Sequence, residues 1–262
     1  MFGSKRQVVV TDIGEYVNQH GCQRSFKLRL NKAEIARRFP FYGSVRSPLN
    51  PILATRGRER EGQLGAAIAR SMELLNPRDG AEEMRRAWTD YLRRVGDLPA
   101  GTDCFAREVE IEGTVGEFAL SGRMDFLVLR WRDGVPHLRI VECKASRRDK
   151  TYHRIQLAAY RIMLGELLER DGIVLGGRRY DDAVLESVVA RIDEDTNEVQ
   201  DALAMPSLDL EQEMGDLRSL LAADGPLVRI DAADLDDLGY CIDSKCGACV
   251  HCPICLPESA RQ

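Results

Sequence analysis

Asp125, Glu142 and Lys144 stand inside a stretch, SGRMDFLVLRWRDGVPHLRIVECKAS (residues 121–146), that otherwise alternates apolar and polar residues like two β-strands. A buried charge is costly unless it is paired or holds a metal. Two carboxylates converging on one point suit a hard divalent cation, with carbonyl and water oxygens completing its shell. Such a cation lowers the pKa of a bound water and neutralises charge on a phosphoryl group. Lys144 is placed to position that water or to offset developing negative charge. Glu142 and Lys144, two apart, project from one strand face, and Asp125 can approach them from the preceding strand. On these residues alone, the alternative is a cross-strand ion pair, because a D…E-x-K match is short.

Cysteines form the second group. The chain has eight, and Cys246, Cys249, Cys252 and Cys255 all fall within CGACVHCPIC. In a reducing compartment that density reads as metal ligation. The four alone admit a tetrahedral Zn2+ site, although repeated two-residue gaps are tight for one ion. Cys104 and Cys143 sit in strand patterns, and Cys241 has no assigned role. His153 lies near the proposed groove, with His20, His137 and His251 left to surface or local structure.

The surrounding elements must position these groups. Thr11 is expected to cap a short helix carrying Asp12 and Glu15 and ending at Gly21. A basic helix follows over 23–39, then a Gly/Pro loop over 41–51, and helices over 54–75 and 81–95. Strands are expected over 104–113, on either side of the RDG turn at 132–134, and over 183–193. Ile155, Ala159, Ile162 and Met163 recur at helical spacing within 150–170, and a further helix covers 208–222. This order predicts an α/β fold, a small mixed central sheet flanked by helices, in a single domain over 1–262. Its parts are an N-terminal helical region (1–55), a core (56–200) and an acidic helical region with the cysteine tail (201–262).

The net charge of −5 hides an asymmetry: residues 181–237 hold 17 acidic and 3 basic side chains. The remainder is therefore basic, which permits a phosphate-backbone partner, although solvated faces explain charge equally well. With 44% hydrophobic residues the chain can build a core. It shows no apolar run of membrane-spanning length and no secretory pattern at its start, so a cytoplasmic protein is expected, with no membrane partner.

GRMD, VECKAS and then a helix carrying QLAAY resemble the PD-(D/E)XK nuclease superfamily, specifically its RecB-like branch, where Gln156 and Tyr160 match a Q-x-x-x-Y signature. The resemblance implies a restriction-endonuclease-like core and a deoxyribonuclease using Mg2+ or Mn2+. Asp125 and Glu142 would be ligands, Lys144 would assist, and Gln156 and Tyr160 would touch DNA from one helix face. Cys143 would offer the cation its carbonyl, and Arg147, Arg148, Lys150 and Arg154 would track the backbone. The family's G-x-x-x-H histidine is replaced here by Glu61, four residues after Gly57, and a carboxylate there suits Mg2+ or Mn2+. The iron–sulfur subset implies a [4Fe–4S] cluster on Cys22, Cys246, Cys249 and Cys255, joining the two ends of the chain, with Cys252 as a substitute for Cys255 and Zn2+ as the alternative ion. The sequence is similar to CRISPR-associated RecB-like exonucleases and helicase-associated nuclease domains. Single-stranded DNA or DNA ends are thus the expected substrate, in repair or antiviral defence, with a helicase or other defence subunit as partner. A CRISPR adaptation exonuclease, or a silent DNA-binding subunit retaining the fold, are the alternatives.

Overall fold

A computed structural model describes residues 5–41, 51–75, 86–144, 150–175, 177–191 and 200–260. Residues 42–50 of the expected loop, 81–85 of an expected helix, and Arg147 and Arg148 lie outside them. The chain opens with strand β1 (Arg6–Val9), then helices α1 (Val10–Asn18), α2 (Gln23–Leu30), α3 (Lys32–Arg38) and α4 (Pro51–Ile68). Short strands β2 (Glu73–Leu74) and β3 (Arg86–Ala87) precede α5 (Trp88–Gly96). The long strands β4 (Cys104–Val115), β5 (Phe118–Arg132) and β6 (Val135–Cys143) follow, then α6 (Thr151–Asp171). A small hairpin, β7 (Ile173–Leu175) and β8 (Arg178–Tyr180), leads to β9 (Val184–Ala190), and α7 (Glu211–Leu221), α8 (Pro226–Ala232) and α9 (Cys252–Ser259) complete the chain.

β4, β5 and β6 form an antiparallel meander, and β9 joins β6 in parallel. A parallel neighbour requires a crossover, which α6 supplies. Gly116 and Gly134 turn the two hairpins at φ of 56° and 78°, a region open to glycine. Apolar side chains cover both sheet faces. Leu127, Leu129, Leu138 and Ile140 meet α1, α5, α6 and α7 on one side, while Phe126, Val128 and Val141 meet Leu64 and Ile68 of α4 on the other. The result is an α/β fold with a mixed central sheet between helices.

One irregularity positions the chemistry. Ala106 and Val109, three apart, face the same core, as do Met124 and Leu127, so the alternation slips by one residue on both strands. The residues at the slip are Glu108 and Asp125, which stand opposite each other between the pairs Arg107–Phe126 and Val109–Met124. Glu108 holds φ at 55°, uncommon for a residue with a Cβ. Paired irregularities of this kind re-aim side chains next to active sites.

Several expectations need correction. Thr11 does not cap α1: its N-cap is Val9, without a side-chain hydrogen bond. The single helix expected over 23–39 breaks at Asn31, whose side chain donates to Lys27 O (3.1 Å) and accepts from Arg6 (2.5 Å), competing with the helical backbone. The helix expected over 54–75 stops at Ile68, because Glu73 and Leu74 pair with β4. Strand β1 and the hairpin β7–β8 were not foreseen. Helix α7 is built into the core: Leu217 and Leu221 are fully buried, and Leu221 O accepts from Glu117 N (2.9 Å). No helix among the described residues is long and apolar enough to cross a membrane.

Candidate active site

Strand β5 changes partner along one edge. Its residues 118–121 pair with β1 and residues 126–132 with β6, so among the described residues the stretch from Gly122 to Asp125 has no strand neighbour there. Buried backbone groups must find other partners. Cys143 N donates to Asp125 Oδ2 (2.7 Å), and Tyr160 OH donates to Arg123 O (2.9 Å). Gly122 makes the second bond possible, since a Cβ there would lie 2.4 Å from the Tyr160 ring.

A pocket of about 500 Å³ opens over this gap, lined by Asp125, Glu142, Lys144 and Tyr160 among others. Lys144 Nζ pairs with Glu142 Oε1. The other oxygen, Glu142 Oε2, is buried and has no hydrogen-bond partner. Burial first, and the nearby Asp125 second, push the Glu142 carboxyl pKa up despite Lys144. Burial likewise raises Asp125, against the pull of Lys144 and the Cys143 amide. Burial works against the Lys144 ammonium, yet Glu142 and Asp125 hold it above the ordinary lysine value. Two carboxylates resisting ionisation beside one orphaned oxygen are a donor set that a divalent cation satisfies. Among the described residues no group of three or more His, Cys, Asp or Glu side chains forms a finished metal cage.

Glu61 on α4 belongs to the same electrostatic neighbourhood: burial raises its pKa, then Asp125 and Glu108. The Cys143 thiol turns away into the apolar layer with Leu64 and Phe126, and burial pushes it up to about 12. Tyr160 reaches the pocket, but Gln156 is not among the described residues lining it. Its amide packs under α1, where Nε2 lies 2.7 Å from the point a Gly14 Cβ would occupy. Its Oε1 is buried without a partner.

The expected basic track is largely absent from the groove among the described residues. Arg154 pairs with Glu213 and Asp209 O. Lys150 lies over the Tyr152 ring at 5.6 Å. His153 is buried, and burial, followed by Lys144 and Lys150, pushes its pKa down to about 4, so it is neutral at physiological pH. Sequence reasoning missed Glu108, Glu110, Glu112 and Thr11. Glu110, Glu112 and Thr11 line the pocket, while Glu108 pairs with Arg123. Only the period-two run of glutamates in REVEIEG pointed that way.

The cysteines converge on a second, smaller pocket. Cys22, Cys241, Cys246, Cys249, Cys252 and Cys255 all line it, so the structure gathers six thiols where four were expected. Backbone amides of Asp243 and His251 donate to the sulfurs of Cys246 (3.5 Å) and Cys249 (3.4 Å). Arg24, fully buried, fastens this tail to α2 through Leu235 O (2.6 Å), Leu238 O (3.2 Å) and Glu258 (2.7 Å). Amide-to-sulfur bonds suit thiolate ligands, although the thiols are not already closed into a cage.

No curated protein matches the chain. A solved structure described as "Crystal structure of SSO0001" is similar at 15% identity and a TM-score of 0.40, over 98% of this chain and 89% of that one, too distant to carry an argument. A family model of the PD-(D/E)XK nuclease superfamily matches residues 52–255, which include Asp125, Glu142 and Lys144 and most of the sequence: the chain belongs to the PD-(D/E)XK nuclease superfamily.

Proposed function

We propose that this chain is a divalent-metal-dependent deoxyribonuclease of the RecB-like branch, acting on single-stranded DNA or DNA ends. The observation that supports this most is the convergence of Asp125, the orphaned Glu142 Oε2 and Lys144 on the unpaired edge of β5. Mg2+ or Mn2+, when bound, supplies the Lewis acid that neutralises phosphoryl charge and activates water. Asp125 and Glu142 would hold it, with Glu61 and the Cys143 carbonyl as further candidate ligands, and the Cys143 amide fixes the Asp125 carboxylate. Lys144 places a positive charge beside the scissile phosphate, where charge develops. Cleavage of end-labelled single-stranded DNA in Mn2+ tests the reading. Asp125→Asn and Lys144→Ala each lower the rate by about a hundredfold or more. Full activity in both variants would end it.

The cysteine pocket is proposed to hold a [4Fe–4S] cluster through Cys22, Cys246, Cys249 and Cys255, with Zn2+ the alternative occupant. Because Cys22 and the tail lie at opposite ends of the chain, ligation there ties α2 to α9. Iron and sulfide analysis of anaerobically purified protein checks it. Serine at Cys22, Cys246 or Cys249 removes most of the iron, whereas Cys241→Ser retains it. Stoichiometric zinc without iron would replace the cluster by the simpler ion. A motor subunit is proposed as partner, docking on the exposed acidic face of α7 around Glu211 and Asp216.

A further inference from the structure

The six converging thiols share their pocket with one permanent cation: among the described residues lining it, that cation is Arg24. Its side chain is only 1% exposed. A buried guanidinium is costly, and its place in α2 adds to the cost. Arg24 is the second residue of that helix, at the positive end of the dipole, where a cation is disfavoured. Helix formation therefore does not explain it.

The surroundings compensate Arg24 only in part. One terminal nitrogen donates to two neutral carbonyls, of Leu235 and Leu238, and the other meets Glu258 (2.7 Å). The guanidinium carbon lies over the Tyr240 ring, 4.1 Å from its centroid, where the ring face attracts a cation. The Glu258 side chain, however, is 19% exposed, so water screens it. It is also shared with Arg38 (3.4 Å) and the Tyr240 hydroxyl (3.4 Å). The remaining nitrogen of Arg24, Nε, is buried without a partner. On the pocket side, burial pushes the Cys255 thiol up to about 11, and Arg24 pulls against it. The uncompensated part of the arginine's field thus reaches the sulfurs.

A [4Fe–4S] core on four thiolates carries two negative charges, and one added electron makes three. A fixed cation beside such a centre favours the more negative state, the more so where water is excluded. Net charge and hydrogen bonds to sulfur are levers that set the potential of these centres.

We propose that Arg24 is the built-in counter-cation of the thiolate centre and raises its reduction potential, with Glu258 as the opposing charge. This rests on the cluster reading above. It gives the clasp between α2 and α9 an electronic role beside its mechanical one.

The test uses the full chain, purified anaerobically, with iron and sulfide measured first. Dithionite titration with mediator dyes, followed by electron paramagnetic resonance, then gives the potential of the wild type, Glu258→Gln and Arg24→Gln. Glu258→Gln keeps an oxygen for Arg24 but removes the negative charge, so the potential rises. Arg24→Gln removes the cation, so the potential falls. Each shift is about tenfold in the ratio of reduced to oxidised cluster at a fixed potential, or about 59 mV for one electron. Opposite signs separate charge from architecture. A pair that merely fastened the tail would open the pocket to water in both variants and move both potentials the same way. Shifts of one sign, or a Glu258→Gln potential equal to that of the wild type, would overturn the proposal. If Arg24→Gln fails to fold or to retain iron, Glu258→Gln decides alone: a rise supports the proposal and anything else overturns it. A wild type without iron and sulfide ends the cluster reading and takes this proposal with it.

Discussion

Glu142→Gln is expected to cut the cleavage rate by about a thousandfold or more while raising the melting temperature of the metal-free protein. The first effect follows from removing one of the two carboxylates proposed to hold the cation, whose charge stabilisation amounts to several kcal/mol, each 1.4 of them about tenfold in rate. The second follows from the same burial: glutamine keeps the contact to Lys144 and removes the need to ionise a shielded carboxyl. The sign is fixed by the raised pKa. A carboxyl whose folded pKa exceeds its unfolded value of roughly 4.3 destabilises the fold above that range and ceases to do so as the pH falls through it. Metal-free wild type should thus gain stability on mild acidification relative to Glu142→Gln. Adding Mn2+ at about a hundredfold excess over its dissociation constant stabilises the wild type by roughly 2.7 kcal/mol, or about 5–10 °C, and leaves the variant unmoved. Thermal melts with and without Mn2+ decide this. A variant that melts lower without metal, or keeps the manganese increment, would mean that Glu142 is structural.

Arg139→Leu is expected to cost about 3–5 kcal/mol, the largest loss of stability from any single replacement considered. Arg139 is buried on β6 and binds Glu186 of β9 (2.7 Å) while donating to the carbonyls of Ala202 (2.6 Å), Leu203 (3.0 Å) and Met205 (3.0 Å). Leucine fills part of the volume but leaves Glu186 Oε2 and three carbonyls without the Arg139 donor, while Arg132 and His137 stay on Glu186 Oε1. Burial alone would raise the Glu186 carboxyl, yet Arg139, with His137 and Arg132, holds it below the ordinary value. In the wild type that pair contributes stability above the unfolded pKa and loses it as the pH falls through the lower, folded one. In the variant that pH dependence weakens, because Glu186 keeps Arg132 and His137 but loses its closest cation. Urea unfolding at pH 7 and pH 5 separates the two, and Arg139→Leu/Glu186→Gln should recover part of the loss. Equal stability at both pH values, with no recovery, would place the cost in packing alone.

The hairpin carrying Asp125, Glu142 and Lys144 was legible because charges interrupting an alternating strand pattern are expensive and therefore conspicuous. Helix α6 was legible because Ile155, Ala159, Ile162 and Met163 recur at helical spacing, although the 21-residue helix proves buried on nearly every side through its middle. Strands of two to four residues, β1, β2 and β3, were not, since nothing within so few residues outweighs the distant β4 or β5 edge that recruits them. The Glu108 slip was hidden because it exists only relative to the register of a second strand. Arg139 and Glu186 were silent as well: each is an ordinary charge in its own strand, and their pairing arises from the parallel alignment of β6 with β9. Gln156 shows the limit of helix-face reasoning. It shares a face with Tyr160, yet Gly14 gives its amide a seat beneath α1 and draws it out of the pocket.

The clasp between the chain's two ends also bears on biosynthesis. Strand β1 awaits partners at 118–121, and Arg24 and Gln19 meet Leu235, Glu258 and Cys249, contacts 211, 234 and 230 residues apart. Contacts so distant along the chain form late and slowly. A ribosome that has released the whole catalytic hairpin therefore still displays a chain whose α1 lacks its C-terminal anchor.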